Sequence, residues 1–268
     1  MNDPALFVRD GDGYAASELA LGPWFPGALH GGPPAALMAH VLAGHAPGAL
    51  RLARISLELV RPVPRGPLSV EVAVVRPGRR VTLLDGTMRD PEGVAVLHAR
   101  ALFLAPTELD ATAEPPPPFP GPETGTPNDW HSPTPTFATD GMEIRFVRGA
   151  FREVGPAIAW FRLAVPLLAG EPTRGVDRVV AAGDFGNGIA PAVPWEGHTF
   201  INPDLTVHVE RDPVDEWVAL QSHTRVVRGS VALAESVLWD RRGRIGRAVQ
   251  TLLVARAPVG AATSGETP

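Results

Sequence analysis

The chain has 268 residues and a formal net charge of −5, with 44% hydrophobic and 20% charged residues, a composition able to bury the core of one large or two ordinary domains. It contains no cysteine, and all 24 of its basic residues are arginine. Disulfides, thiolate nucleophiles, cysteine-held zinc or iron–sulfur centres and lysine Schiff bases are therefore excluded.

A negative balance without a basic block argues against a nucleic-acid partner. No apolar run reaches the roughly 18 residues of a membrane-spanning helix, so no membrane insertion is expected. The N-terminus Met1-Asn2-Asp3-Pro4 lacks a basic and then apolar leader, which points to the cytoplasm.

Gly11-Asp12-Gly13 reads as a turn, and a loop follows around Trp24-Phe25-Pro26-Gly27. After His30-Gly31-Gly32 come two prolines suited to a first helical turn and an Ala/Leu/Met run, which predict a buried helix at about 33–46. Strand patterns follow near 52–61, 67–76, 79–90 and 94–105. Their turns are short and carry Pro or Gly, so the sheet is antiparallel. Residues 106–137 hold ten prolines, Pro115 to Pro118 among them, and read as an extended linker. Extra strands are predicted over 143–147 and 157–163, then one helix near 173–189 running into Asp184-Phe185-Gly186-Asn187-Gly188. Four more strands lie near 200–210, 216–227, 229–240 and 244–256, and the tail past residue 258 is small and polar.

Residues 53–105 recur at 203–255 with a constant offset of 150. Ile55, Leu57 and Leu59 answer Leu205, Val207 and Val209; Arg61 answers Arg211; Asp90 and Gly93 answer Asp240 and Gly243 in a turn. The expected organisation is a first unit at 1–105, a linker at 106–137, a second unit at 138–258 and a disordered tail at 259–268. One helix followed by an antiparallel sheet, done twice, describes an α+β tandem hotdog, each sheet wrapped around a central helix. The two units would pair their sheets and cover each other's edges.

Leu29-His30-Gly31-Gly32, Arg61-Pro62, Ala182 to Gly188, Ile201 to His208, Asp215-Glu216-Trp217 and Val249-Gln250 together resemble the double-hotdog acyl-CoA thioesterases, including the bacterial thioesterase II group. The resemblance implies a hydrolase acting on acyl-CoA or another acyl thioester, without cofactor or metal and commonly as a homo-oligomer. It puts a carboxylate at Asp184 and a glutamine at Gln250 around the hydrolytic water. The family's threonine or serine between them is replaced near Ile201-Asn202, where Asn202 supplies an amide and Thr206 lies close. His30, Gly31, Gly32 and Phe185 fall along the substrate's path.

The chemistry is sufficient for an activated acyl group, because a positioned water, a base and a polarised carbonyl hydrolyse a thioester. Asp184 would take a proton from that water or orient it. By the constant offset Gln250 matches Arg100 and Asn202 matches Leu52, so the polar residues belong to one copy only. His30 is read as lining a pocket, Gly32 as packing, and His208 as facing away from any metal. Ser230 lies in no nucleophile elbow. Arg76, Arg79, Arg80, Arg225 and Arg228 suit CoA phosphates or a solvated turn equally well. Two other readings stay open: a hydratase or dehydratase built on His30 and Asp184, and a non-catalytic acyl-thioester-binding protein.

Overall fold

A computed structural model describes residues 3–107, 117–226 and 231–256 of the chain. Strands β1 (Phe7–Asp10) and β2 (Gly13–Ala16) form a hairpin whose turn residue Gly11 has φ 57°, a conformation that suits glycine. Helix α1 (Gly32–His45) is buried from Gly32 to Leu42 and has no polar face over that length. It is a core helix by composition. Leu37, Met38 and Leu42 are fully buried on it, each contributing about 1.5–3 kcal/mol.

Four strands follow: β3 (Arg51–Leu59), β4 (Pro67–Arg76), β5 (Val81–Arg89) and β6 (Ala95–Leu104). On β5 every second residue is buried, Leu84 and Met88 among them, as the period of two requires. The second half contains β7 (Thr126–Pro127), β8 (Met142–Arg148), β9 (Ala157–Leu163), α2 (Gly175–Gly183) and α3 (Gly186–Ile189). Strands β10 (His198–Ile201), β11 (Asp204–Val209), β12 (Val218–Val226), β13 (Val231–Asp240) and β14 (Gly243–Arg256) complete it.

These strands make one sheet in the order β1-β2-β4-β5-β6-β3-β11-β14-β13-β12-β9-β8-β7, with β10 beside β14, and every named pair is antiparallel. The halves meet at β3 and β11, where Ser56 pairs with Thr206, flanked by Glu58 with Asp204 and Arg54 with His208. Ser56 pairs with its own repeat mate and the pairs on either side of it are exchanged, which marks a local two-fold axis. The offset of 150 seen in the sequence is therefore a rotation in space.

The repeat slips by one residue at the last strand. Arg89 pairs with Ala95, whereas Trp239 pairs with Arg244, so the second turn is one residue tighter. Leu84 faces Ala101 while its mate Ala234 faces Gln250. The counterpart of Gln250 is thus buried Ala101, and the match to Arg100 given by a constant offset is corrected. Arg100 points outward and grips Asp85 through two contacts of 2.7 Å.

Helix α1 packs on β3 to β6, α2 packs on β9 and β11 to β13, and the helices pack on each other. They pass in opposite directions. Gly32 at the start of α1 meets the Ala181 carbonyl near the end of α2, and His40, further along α1, meets Asp177 in the first turn of α2. The His40 Nδ1 lies 2.9 Å from Asp177, and its Nε2 lies 3.1 Å from Glu171, which Arg9 also holds.

From residue 117 onward the linker is fastened to the second half. Phe119 stacks on Trp239 at 4.4 Å, Trp160 Nε1 donates to the Pro120 carbonyl at 2.8 Å, and β7 pairs with β8. The expected features at 108–116, 228–230 and 259–268 lie outside the described residues.

Candidate functional site

The helix expected over 173–189 is broken at Asp184-Phe185, and the break builds the site. Asp184, Gly186, Asn187 and Gly188 are poor helix formers in succession. The interrupted ladder leaves buried backbone groups that need partners. Gln250 supplies them: its Nε2 donates to the Asp184 carbonyl at 3.0 Å, and its Oε1 accepts the Asn187 N–H at 3.1 Å. The side chain on β14 is a splint across the break. Gly186 allows this closeness, since a Cβ there would lie 2.7 Å from Ser236 Oγ and 3.1 Å from Gln250 Oε1.

The same Gln250 Nε2 lies 3.1 Å from Asp184 Oδ1, and Asn202 Nδ2 donates to that oxygen at 2.8 Å. Asn202 occupies the short gap between β10 and β11, which aims it back at the helix end. Oδ2 of the same carboxylate lies 3.0 Å from His30 Nδ1, although the contact is not aligned as a hydrogen bond. The Gly32 N–H donates to that nitrogen at 3.1 Å. A carboxylate only 5% exposed thus meets two amides of its own half and a histidine of the other. Thr206 does not take part: its Oγ1 donates to Ser56 at the two-fold axis.

Above the carboxylate lies a cavity of about 230 Å³ shared by both halves. His30, Gly31, Asp184, Phe185 and Asn202 line it; Gly32 and Gln250 stand behind that surface. The His30 ring sits 4.6 Å from Phe185 and 5.2 Å from Phe137. Trp24 and Trp195, one from each half, stack at 5.1 Å on another side of the cavity. The lining is chiefly apolar, and Arg61 is its one cation. No ion pair holds Arg61 among the described residues, whereas its repeat mate Arg211 is locked to buried Asp240 through two nitrogens at 2.5 and 2.6 Å. One copy of the arginine is structural and the other is available to a ligand.

Sequence reasoning did not assign Arg61 to the site, because Arg61 and Arg211 look alike until their partners are seen. It also did not foresee that His30 touches Asp184. Among the described arginines favoured for phosphate, Arg76, Arg79, Arg80 and Arg225 are absent from the cavity lining, and Arg225 lies 3.4 Å from Glu235. His208 is exposed on the outer face. No cluster of His, Asp and Glu among the described residues is arranged to hold a metal ion. No helix of the described residues is long and apolar enough to cross a membrane.

The profile of the acyl-CoA thioesterase C-terminal domain matches residues 111–254, and that of the N-terminal domain matches residues 21–104. No curated protein sequence matches the chain significantly. Among solved structures, a Thermobifida fusca protein provisionally described as a thioesterase II superposes with a TM-score of 0.74 at 19% identity, covering 96% of this chain and 100% of its own. A hot dog fold protein of unknown function from Alicyclobacillus acidocaldarius gives 0.72 at 18% identity, covering 94% of this chain and 96% of its own. The acyl-CoA thioesterase II TesB2 of Mycobacterium marinum gives 0.67 at 15% identity, covering 93% and 95%. Likeness at such identities establishes the hotdog fold. With the C-terminal profile spanning more than half of the residues and the N-terminal profile preceding it in order, the chain belongs to the acyl-CoA thioesterase family, a family of thioester hydrolases.

Proposed function

We propose that the protein is a tandem hotdog enzyme that hydrolyses acyl-CoA to the carboxylic acid and free CoA thiol in the cavity between its halves. The observation that carries this reading is the convergence of Asn202 and Gln250 on Asp184, which lies at the floor of an apolar cavity. The acyl group lies among the aromatic side chains, and Arg61 at the exposed rim meets the anionic end of CoA. Asp184 takes a proton from the attacking water or orients it, while the Asn202 and Gln250 amides hold the carboxylate in place. Water adds to the thioester carbonyl carbon, the C–S bond breaks, and the thiolate leaves with a proton returned by the site. General base assistance of this kind contributes about 100- to 10,000-fold.

One observation favours a second reading. His30 and Asp184 are in contact, and a His/carboxylate pair also suits hydration or dehydration of an acyl thioester. Thiol release over a panel of acyl-CoAs separates the readings, because a hydratase changes the acyl chain and leaves the thioester intact. Release that Asp184→Asn lowers by at least about 100-fold is the expected result. Tight acyl-CoA binding without thiol release and with the acyl chain unchanged at any chain length would leave only a binding protein.

A further inference from the structure

By the two-fold relation of the halves, β8 and β9 hold the places of β1 and β2: β9 runs beside β12 as β2 runs beside β4, and each pair forms a hairpin. Their connections differ. The first hairpin turns through residues 11 and 12 alone, whereas the second runs through 149–156. Two residues suffice to join antiparallel strands, so the sheet does not require the added length. Backbone at φ 79° in Gly149, 70° in Arg152 and 127° in Gly155 folds the loop sharply, and the Gly155 N–H ties it to the Pro191 carbonyl at 3.0 Å. Arg152 is the one residue other than glycine with a positive φ among the described residues. That conformation disfavours a side chain and persists where the surroundings impose it, commonly at functional sites. Its neighbour Phe151 lines the cavity.

The Phe151 ring lies 5.5 Å from that of Trp130 and 5.3 Å from that of Phe146. A Cβ on Gly188 would stand in ordinary contact with it, 4.0 Å from Cε1. Gly188 lies about one helical turn beyond Asp184, roughly 6 Å along the axis, in a turn that the Ile189 N–H closes on the Phe185 carbonyl at 3.0 Å. On the other side of Asp184, Asn202 leads to Pro203, whose carbonyl accepts the Leu59 N–H at 2.8 Å, and so to Val60 and Arg61. The cavity thus has two ends with Asp184 between them. The Arg61 end is open, with Val60 49% and Phe25 44% exposed. The other end, made by Trp130, Ala138, Phe151 and Gly188, carries no charge.

Resting on the hydrolase reading above, we propose that Phe151 sets the acyl length: with Trp130 it closes the uncharged end, and the acyl chain runs from Asp184 toward it while the thiol arm leaves past Arg61. An acyl chain is apolar and CoA is anionic, so of the two directions only this one sets each part of the substrate against lining of its own kind. The thioester carbon must stay beside Asp184 to react. A chain that outgrows the distance to the Phe151 ring must displace the ring or lift its own carbonyl off the site. Trp130 and Phe146 brace the ring on a tied loop, so the substrate is the part that yields. The preferred substrates are then acyl-CoAs whose chains end before Phe151.

The test measures kcat/KM for thiol release by the full chain across straight-chain substrates from acetyl-CoA to palmitoyl-CoA. For the wild type it should fall about 10- to 200-fold, the discrimination a pocket achieves over one misfitting methylene, at the first length that meets the ring. Phe151→Ala should move that fall to longer chains and Phe151→Trp to shorter ones. Val154→Ala, at an exposed position of the same loop, should leave it in place. A loop that is only structural would lower every length by one factor. Such a uniform loss in Phe151→Ala, a fall at an unchanged length, or an equal shift in Val154→Ala overturns the proposal. So does a wild type whose kcat/KM keeps rising to palmitoyl-CoA. If Phe151→Ala fails to fold, Phe151→Leu must show the shift to longer chains. Wild-type protein that releases no thiol at any length would sink the hydrolase reading itself.

Discussion

Gly31 and Gly32 are adjacent, yet alanine at each position should damage a different property. At Gly31 a Cβ would lie 2.7 Å from Asp184 Oδ2 and 3.1 Å from its carboxyl carbon. An ordinary contact needs nearly 3.5 Å, so the carboxylate must retreat by at least about 0.5 Å. Its hold by Asn202 and Gln250 resists that movement. The backbone of Gly31, at φ −63° and ψ −29°, accepts alanine without strain, and the alanine gain of about 0.4–1 kcal/mol from the unfolded chain partly offsets the crowding. At Gly32 the obstacle is the Ala181 carbonyl at 2.6 Å and the Phe137 ring at 3.0 Å. Backbone cannot swing aside, so α1 and α2 must separate at a cost of about 1–3 kcal/mol or more. Gly31→Ala should lose about 10- to 100-fold in kcat/KM, given that about 1 Å of misplacement can cost 100-fold, with a small change in melting temperature. Gly32→Ala should lower the melting temperature by about 2–4 °C per kcal/mol. Thermal melts and thiol release on both variants check this. Full activity in folded Gly31→Ala would refute the argument that the carboxylate's position matters.

Gln250→Ala should remove the splint and leave the buried Asn187 N–H unpaired, costing about 1–3 kcal/mol and at least tenfold in rate on the scale of about 1.4 kcal/mol per decade; urea melts and thiol release measure both. Arg61→Gln should raise KM for acyl-CoA with little change in kcat, and a neutral short thioester should show no such rise. Both nitrogens of His40 face carboxylates, and the hydrogen bond to Asp177 raises its pKa above the ordinary 6.5 against the opposing effect of burial. Because the folded value is the higher one, the stabilisation is complete below pH 6.5 and is lost as pH rises through the folded value. The melting temperature should therefore fall between about pH 6 and pH 9, and His40→Gln should flatten that slope.

The amino-acid sequence by itself determined the strands, the buried helix α1 and the duplication. Period-two burial, proline and glycine turns and the repeated spacing are local signals that packing reinforced. It also put Asp184, Asn202 and Gln250 forward through resemblance. What it could not carry was partner choice. Whether Arg61 or Arg211 is tied down depends on which carboxylate lies opposite, and a one-residue difference in turn length decided that Gln250 replaces Ala101. The single helix over 173–189 divided because Gln250, 66 residues further along, satisfies the exposed backbone at Asp184 and Asn187. The meeting of His30 with Asp184 arises from α1 and α2 passing in opposite directions, a relation between two helices that neither segment encodes. Short-range preference wrote the elements; the geometry of their packing decided which side chains meet.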